Sequence, residues 1–107
     1  MFTRIVECQA KKGKSEVLAK KVRNEVLPTL QKQPGFIDLV ALRDSKNHDR
    51  IVCLSFWNSQ ESAEQFQREQ YDTVVQMLSS ELETSPTMET LRVEISTAHR
   101  IASSRAA

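Results

Sequence analysis

Two apolar runs in the middle of the chain constrain its fold more than any other feature. Phe36–Leu42 and Arg50–Trp57 are rich in strand-forming residues, and the polar segment Arg43–Asp49 that joins them is typical of a turn. Runs arranged in this way predict an antiparallel hairpin. Asp38 is the one polar residue of the first run, and Ser55 is the one polar residue of the second after its opening arginine. Both faces of the predicted hairpin are therefore apolar.

The residues before the hairpin have the pattern of a strand followed by a helix. Phe2–Ala10 is rich in strand formers and predicts the first strand. Apolar residues at helical spacing then predict a helix over about 15–32. Pro28 interrupts this helix, so we expect a kink or a new short turn there. Pro34 and Gly35 are expected to end it, with Gly35 in the positive-φ conformation that glycine adopts freely.

A second helix and a fourth strand are predicted after the hairpin. Asn58 and Glu61 have the form of a capping box, which places the start of the helix at Asn58. The helix is expected to break near Gln70–Asp72. Leu91–Ile101 begins with alternating apolar and polar residues and predicts the fourth strand.

The predicted order is strand, helix, strand, repeated once. Two such units predict an α+β fold of the ferredoxin-like type, in which a four-stranded antiparallel sheet carries both helices on one face. Right-handed crossovers place the two helices on the same side. We expect residues 1–102 to form this single domain and Ser103–Ala107 to form a flexible C-terminal tail, because the tail is small and polar.

Two helices cover only one face of the sheet, so the second face needs another cover. That face would expose Ile51, Cys53 and Trp57, or their neighbours in the opposite phase. An apolar patch of this kind usually marks an interface, and the simplest cover is a second copy packed sheet to sheet. The alternative cover is the C-terminal tail, which is short and polar. We therefore predict a homodimer through the sheet face.

The charge and the cysteines limit the classes of partner. The chain has 107 residues, with 15 basic and 14 acidic side chains, whereas a nucleic-acid binder masses basic residues on one face. There is no apolar stretch of membrane-spanning length and no signal pattern, so we expect a cytoplasmic protein without a membrane partner. Cys8 and Cys53 lie inside apolar runs and lack the spacing of metal ligands, so free buried thiols and no metal site are expected, with a disulfide between them as the alternative.

Two short strings beside the hairpin are similar to a known family. Leu27-Pro28 followed by Gln33-Pro34-Gly35-Phe36 resembles the helix end and second strand of antibiotic-biosynthesis monooxygenase domains, which belong to the dimeric α+β barrel superfamily. Phe56–Ala63 resembles the strand-ending Trp of that family and the helix start after it. The resemblance covers Phe2 to Ile101 as a pattern. It implies the same fold, a homodimer, and a cavity between helices and sheet in each subunit.

The resemblance also implies a class of chemistry. Several members oxidise quinols or polyketide-type aromatics with dioxygen and use neither flavin nor metal; others degrade haem, and many have no known activity. The haem-degrading branch uses an Asn on the first strand and a Trp and a His on the second helix. This chain has no Asn in its first strand, and Phe66 and Gln76 stand near the other two positions. Haem iron would lack a ligand, so we expect no haem degradation and no cofactor.

Tyr71 and His99 are the candidate catalytic residues for a small aromatic substrate. The hydroxyl of Tyr71 is a suitable hydrogen-bond partner for a quinol or phenol, unless it faces water as a boundary tyrosine. By alternation, His99 shares a face with Leu91 in the predicted fourth strand. At the rim of a cavity it would serve as a general base near neutral pH. The alternative is a strand-end histidine beyond the core.

Arg4, Trp57 and Phe66 are the candidates for contact with the substrate. Arg4 is a charge in an otherwise apolar stretch, and it either lines a pocket or pairs with Glu7 or Glu94. Trp57 ends the third strand and either packs in the core or dimer interface or contacts the substrate. Phe66 belongs to the buried side of the second helix.

Three functions remain open from the sequence. The first is a cofactor-independent monooxygenase that acts on a quinol or polycyclic phenol, in which the deprotonated substrate itself reduces dioxygen and the protein binds, desolvates and deprotonates it. The second is a ligand-binding or regulatory domain without turnover, and the third is a purely structural dimer. A roomy cavity with one or two polar groups would favour the first two, and a closed interior would favour the third.

Overall fold

The computed structural model describes residues 1–99, which contain one sheet and the helices that cover it. The strands are β1 (Phe2–Gln9), β2 (Phe36–Arg43), β3 (Arg50–Trp57) and β4 (Thr87–Arg92). They form an antiparallel sheet in the order β2-β3-β1-β4 with the helices on one face, so the predicted ferredoxin-like α+β fold is confirmed. The predicted tail, Ser103–Ala107, lies outside the described residues.

The first helix changes its winding ahead of a proline. It consists of α1 (Ser15–Lys21), a π-helical segment (Val22–Val26) and α2 (Leu27–Gln31). Pro28 lies in the first turn of α2, where a missing backbone donor costs little. In a continuous α-helix the proline ring would clash with the carbonyl four residues earlier, and the wider π turn relieves that contact. The new turn expected at Pro28 is therefore present, and Gly35 follows with a φ of +82°, as predicted.

The second helix breaks where the sequence predicted, but its N-cap lies one residue after the predicted Asn58. It consists of α3 (Gln60–Glu69) and α4 (Tyr71–Leu78), followed by a 3-10 turn (Ser79–Glu81). Gln70 separates the two helices with a non-helical φ of −129°. The N-cap is Ser59, whose hydroxyl accepts a 3.1 Å hydrogen bond from the backbone N–H of Ser62. The capping box predicted at Asn58 was wrong, because the Asn58 side chain accepts from the Ser62 hydroxyl instead, over 3.2 Å.

The fourth strand begins before Leu91 and ends before Ile101, the two bounds that the sequence predicted. Its pairing with β1 runs from Thr87 opposite Glu7 to Arg92 opposite Phe2. Because β1 begins at Phe2, it has no further residues to pair with β4 beyond Arg92. One more hydrogen bond follows, in which the N–H of Val93 donates to the carbonyl of Met1 over 2.9 Å. The prediction followed an alternating pattern that continues beyond the end of the partner strand.

The strand register divides the sheet into two faces. The helices cover the face that carries Ile51, Cys53 and Trp57, which the sequence left undecided between the two phases of β3. The opposite side, called here the open face, carries the alternate residues of each strand. Its apolar members are Ile5, Val40, Leu42, Val52, Leu54, Phe56 and Leu91.

Candidate functional site

A narrow cavity, called here the helix-side cavity, lies between the helices and the sheet. Its volume is about 50 Å³, which is room for a few water molecules. Aliphatic side chains from the sheet, the first helix and α4 form most of the wall. The remaining members are Arg4, Cys8, Cys53, Ser55, Phe66 and Tyr71. Three of the five predicted site residues, Arg4, Phe66 and Tyr71, therefore line the same space.

Arg4 brings a cationic group into this wall. It lies on β1 between Ser55 and Thr90 of the neighbouring strands, and only 2% of its surface is exposed. Its Nε donates a 3.1 Å hydrogen bond to Oγ1 of Thr90. Its Nη1 is buried and has no hydrogen-bond partner among the described residues. Of the two alternatives stated for Arg4, a pocket or a surface ion pair, the structure has the pocket.

The acidic residues that the sequence offered to Arg4 pair elsewhere. Glu7 lies 2.7 Å from Arg50, and Glu94 lies 2.9 Å from Arg92. Burial lowers the pKa of the Arg4 guanidinium from its usual value, and the charge of Glu64 acts in the opposite direction. An arginine stays protonated even so. The helix-side cavity therefore holds a positive charge that no ion pair within residues 1–99 compensates.

The other ionisable groups of the cavity wall are neutral near pH 7. Burial raises the pKa of the Cys8 thiol to about 12 and that of Cys53 to about 11. Both are free thiols, as expected. Tyr71 begins α4 and is half-buried, and this burial raises the pKa of its hydroxyl, while the charge of Arg4 acts against the rise. The wall thus combines one cation, one phenol and two protonated thiols.

Trp57 and Phe66 stack against each other beside the cavity. Their ring centroids are 5.2 Å apart with the planes inclined at 31°, and Phe36 meets Trp57 edge-on at 5.6 Å. Trp57 is fully buried, and its Nε1 donates to Oγ of Ser55 over 2.9 Å. Phe66 lines the cavity, whereas Trp57 does not. The packing alternative for Trp57 therefore fits its position, since it holds the ring of Phe66 in place.

His99 lies on the other side of the sheet. Its ring stacks on Phe56 with the centroids 4.6 Å apart, and its Nε2 lies 3.0 Å from Oδ2 of Asp38. Phe56 and Asp38 belong to the open face, so the sheet separates His99 from Tyr71. The expectation that His99 reaches a cavity rim from within the fourth strand was wrong, because Leu91, whose face it was expected to share, lies on the open face, and the strand itself ends at Arg92.

A wider groove runs beside the cavity along the edge strand β2. It has a volume of about 310 Å³ and lies between that strand and the first helix. Val22 of the π-helical segment and Leu39 of β2 line both the groove and the helix-side cavity. These two side chains therefore form the partition between the two spaces.

Within residues 1–99, no group of three or more His, Cys, Asp or Glu side chains is placed to hold a metal ion. None of the helices in that range combines the length and apolarity needed to cross a bilayer.

Sequence reasoning missed four residues of the site. Ser55 anchors Trp57, Thr90 fixes Arg4, and Cys8 and Cys53 line the cavity. Ser55 carried a signal, since it was the one polar residue inside an apolar strand. Thr90 carried none, because the predicted fourth strand began after it.

Comparison with known proteins adds a family and a set of folds. The family model described as "Antibiotic biosynthesis monooxygenase" matches residues 1–75. Among curated proteins, none matches significantly.

Solved structures share the fold at low sequence identity. A variant of SnoaB, a cofactor-independent oxygenase of Streptomyces nogalater, is 12% identical with a TM-score of 0.75, over 92% of this chain and 97% of its own. A monooxygenase of Streptomyces coelicolor in complex with nanaomycin D is 17% identical with a TM-score of 0.74, over 89% and 88%. A Nitrosomonas europaea protein of unknown function is 15% identical with a TM-score of 0.75, over 90% and 91%. At identities this low, the TM-scores show that the fold is shared and nothing more.

Proposed function

This chain belongs to the antibiotic biosynthesis monooxygenase family, and we propose that it is a cofactor-independent monooxygenase that oxidises a quinol or polycyclic phenol with dioxygen. The observation that carries the proposal is the wall of the helix-side cavity, which is apolar except for one cation, one phenol and two neutral thiols, together with Ser55. A flat aromatic molecule with a polar oxygen suits such a wall. The oxygenase activity of one structural relative and the aromatic ligand of another support the same class.

In this reaction the protein binds the substrate, excludes water and stabilises charge, and the substrate supplies the electrons. In an anthrone-like phenol, the ring methylene loses two hydrogens and gains one oxygen atom, and the second atom of dioxygen leaves as water. The electrons come from the substrate, whose deprotonated ring is rich enough to reduce dioxygen. The apolar wall excludes water, which strengthens each polar contact to the bound ring.

Four residues in or beside the cavity have a proposed part in this reaction. Phe66 provides a ring face for the substrate, and Trp57 holds that ring through the 5.2 Å stack. The Tyr71 hydroxyl remains protonated because burial raises its pKa, so it is available to donate a hydrogen bond to a substrate oxygen. Arg4 contributes the positive charge. His99 has no part, since it lies across the sheet.

Substrate access requires the partition between groove and cavity to open. A space of about 50 Å³ is too small for an aromatic molecule, whereas the adjoining groove of about 310 Å³ falls in the range of small-ligand pockets. Movement of Val22 and Leu39 would join the two. Val22 begins the π-helical segment, and π turns inside helices frequently occur at functional sites.

The open face supports a homodimer as part of the proposal. Leu42 and Leu91 are 48% and 47% exposed on it, and five further apolar residues share the face. The area is the kind that a second copy covers by packing sheet to sheet. His99 and Asp38 would lie within or at the edge of that contact.

The narrow cavity favours one alternative function. In its closed form it has room for water but not for a ring, which suits a ligand-binding dimer without turnover, or one that opens only for a particular ligand. Such a protein would bind aromatic molecules without consuming dioxygen. A single assay of dioxygen consumption therefore distinguishes the two functions.

The test is oxygen uptake by the purified protein with naphthohydroquinones and anthrone-like phenols, above the autoxidation blank. We expect saturable uptake, and about a tenfold fall in kcat/KM in Tyr71→Phe, which corresponds to one lost hydrogen bond of about 1.4 kcal/mol in the transition state. His99→Ala should keep kcat/KM within twofold. A loss in His99→Ala with none in Tyr71→Phe would move the site to the open face, and uptake equal to the blank across the panel would favour the binding function.

A further inference from the structure

The cavity wall contains the guanidinium of Arg4, which is buried with one of its N–H groups unsatisfied. Arg4 is 2% exposed, its Nε is committed to Thr90, and its Nη1 is buried without a partner among the described residues. Buried polar groups in proteins are almost always hydrogen-bonded, and buried charges are almost always paired. An arginine that lines a cavity and keeps one buried N–H without a partner therefore indicates that a bound molecule supplies the missing acceptor.

We propose that the substrate binds as its phenolate anion, with the charged oxygen accepting a hydrogen bond from Nη1 of Arg4. The inference rests on the proposed function only in taking the helix-side cavity as the binding site. It names the ionisation state of the substrate and the residue that selects it. Arg4 would thus be a specificity-determining residue that distinguishes acidic phenols from neutral aromatics.

A single oxygen atom is enough to satisfy Nη1 of Arg4, whether it belongs to a phenolate or to a carboxylate. Arginine recognises carboxylates through two parallel N–H bonds. Here Nε already donates to Thr90 at 3.1 Å, which removes one of the edges used for that fork. Nη1 is the nitrogen that is fully buried and unpartnered, and a single phenolate oxygen completes it. The aromatic ring of the same molecule would then lie along Phe66 and the aliphatic wall.

The charge of Arg4 also replaces a proton acceptor. No histidine within residues 1–99 lines the cavity, and the groups around Arg4 from the neighbouring elements are Cys8, Cys53, Tyr71 and the carboxylate of Glu64. The three that line the cavity stay protonated near neutral pH, because burial raises their pKa values. None of them is a base for a phenol. The phenolic proton would instead be released to solvent as the anion binds.

The experiment is an absorbance titration of 4-nitrophenol, a single-ring probe that dioxygen does not consume and whose anion is coloured. With protein in excess, the pKa of the bound probe is compared with that of the free probe. We expect the bound pKa to be lower by about one unit or more, which is about a tenfold preference for the anion over the neutral form. In Arg4→Met the shift should vanish or reverse, because an apolar cavity disfavours a charge.

Controls separate the charge of Arg4 from a general change in the cavity. Arg92→Met is the matched control, since Arg92 lies one strand away and is exposed, and it should keep the full shift. Nitrobenzene has no ionisable group and should bind Arg4→Met as well as wild type. If Arg4→Met does not fold, Thr90→Val removes the acceptor that fixes Nε and should lose part of the shift.

Each outcome decides the proposal. A bound pKa equal to or above the free value in wild type, an equal shift in Arg4→Met, or no binding of the probe overturns it. The proposed function is tested apart from this: oxygen uptake without an Arg4-dependent shift refutes the inference alone, and an Arg4-dependent shift without uptake refutes the enzyme and leaves an anion-selective binding protein.

Discussion

Gly35 joins the end of the first helix to β2 and contacts the start of α3, so a methyl group there should loosen the support of the site. Its φ of +82° lies in the left-handed region, which costs an alanine about 1–2 kcal/mol. A Cβ at this position would also overlap the side chains of Ser62 and Asn58. Because Cβ of Ser62 is fixed to the helix backbone, relief requires the first turn of α3 to shift. That shift would break the cap bond and the Ser62–Asn58 bond, about 1 kcal/mol each.

The expected total for Gly35→Ala is therefore a loss of about 3 kcal/mol in the free energy of unfolding, or about 12 °C in Tm for a domain of this size. The assay is urea denaturation followed by the fluorescence of Trp57, the single tryptophan. Gly13→Ala is the matched control, because Gly13 has a φ of +79° with no atom within 4 Å of a built Cβ. It should lose only the backbone part, about 1 kcal/mol. Equal losses in the two variants would refute the packing argument.

Three further predictions concern the interior and the open face. Ser55→Ala should lower the free energy of unfolding by about 1–3 kcal/mol, because it leaves the buried Nε1 of Trp57 without its acceptor. Urea denaturation measures this change, and a loss below about 0.5 kcal/mol would contradict the prediction. Wild type should lose about 1.4 kcal/mol of stability between pH 7 and pH 10 through Cys8, and Cys8→Val should lack this part of the loss. The folded thiol has a pKa of about 12 and keeps its proton, whereas the unfolded thiol ionises from about pH 9, so stability that is complete at low pH declines as the pH rises. Leu54→Glu, on the open face, should convert a dimer to a monomer in light scattering, with the exposed Thr73→Glu on α4 as the control; a monomeric wild type would refute the dimer.

Local patterns were sufficient for most of the fold. The hairpin, both breaks in the helices and the positive φ of Gly35 each depend on residues that are close in sequence. The N-cap was misplaced by one residue, since Asn58 and Ser59 are both good caps and only the strand end at Trp57 decides between them. The π-helical segment was foreseen only as a disturbance at Pro28, because its detailed form depends on packing against the sheet.

The larger error arose from a contact that local sequence does not contain. The end of β4 is set by the start of β1, some ninety residues earlier, and an alternating pattern cannot report where its partner strand stops. This misplacement left Thr90 out of the site, and a second error, taking the face of Leu91 as the cavity side, put His99 into it. The correction changes the chemistry that the site supports, since it removes the histidine and identifies the residue that holds Arg4. A cavity with a fixed cation and no base binds an acidic phenol best after the proton has left, so the wall selects the ionised form that dioxygen chemistry requires.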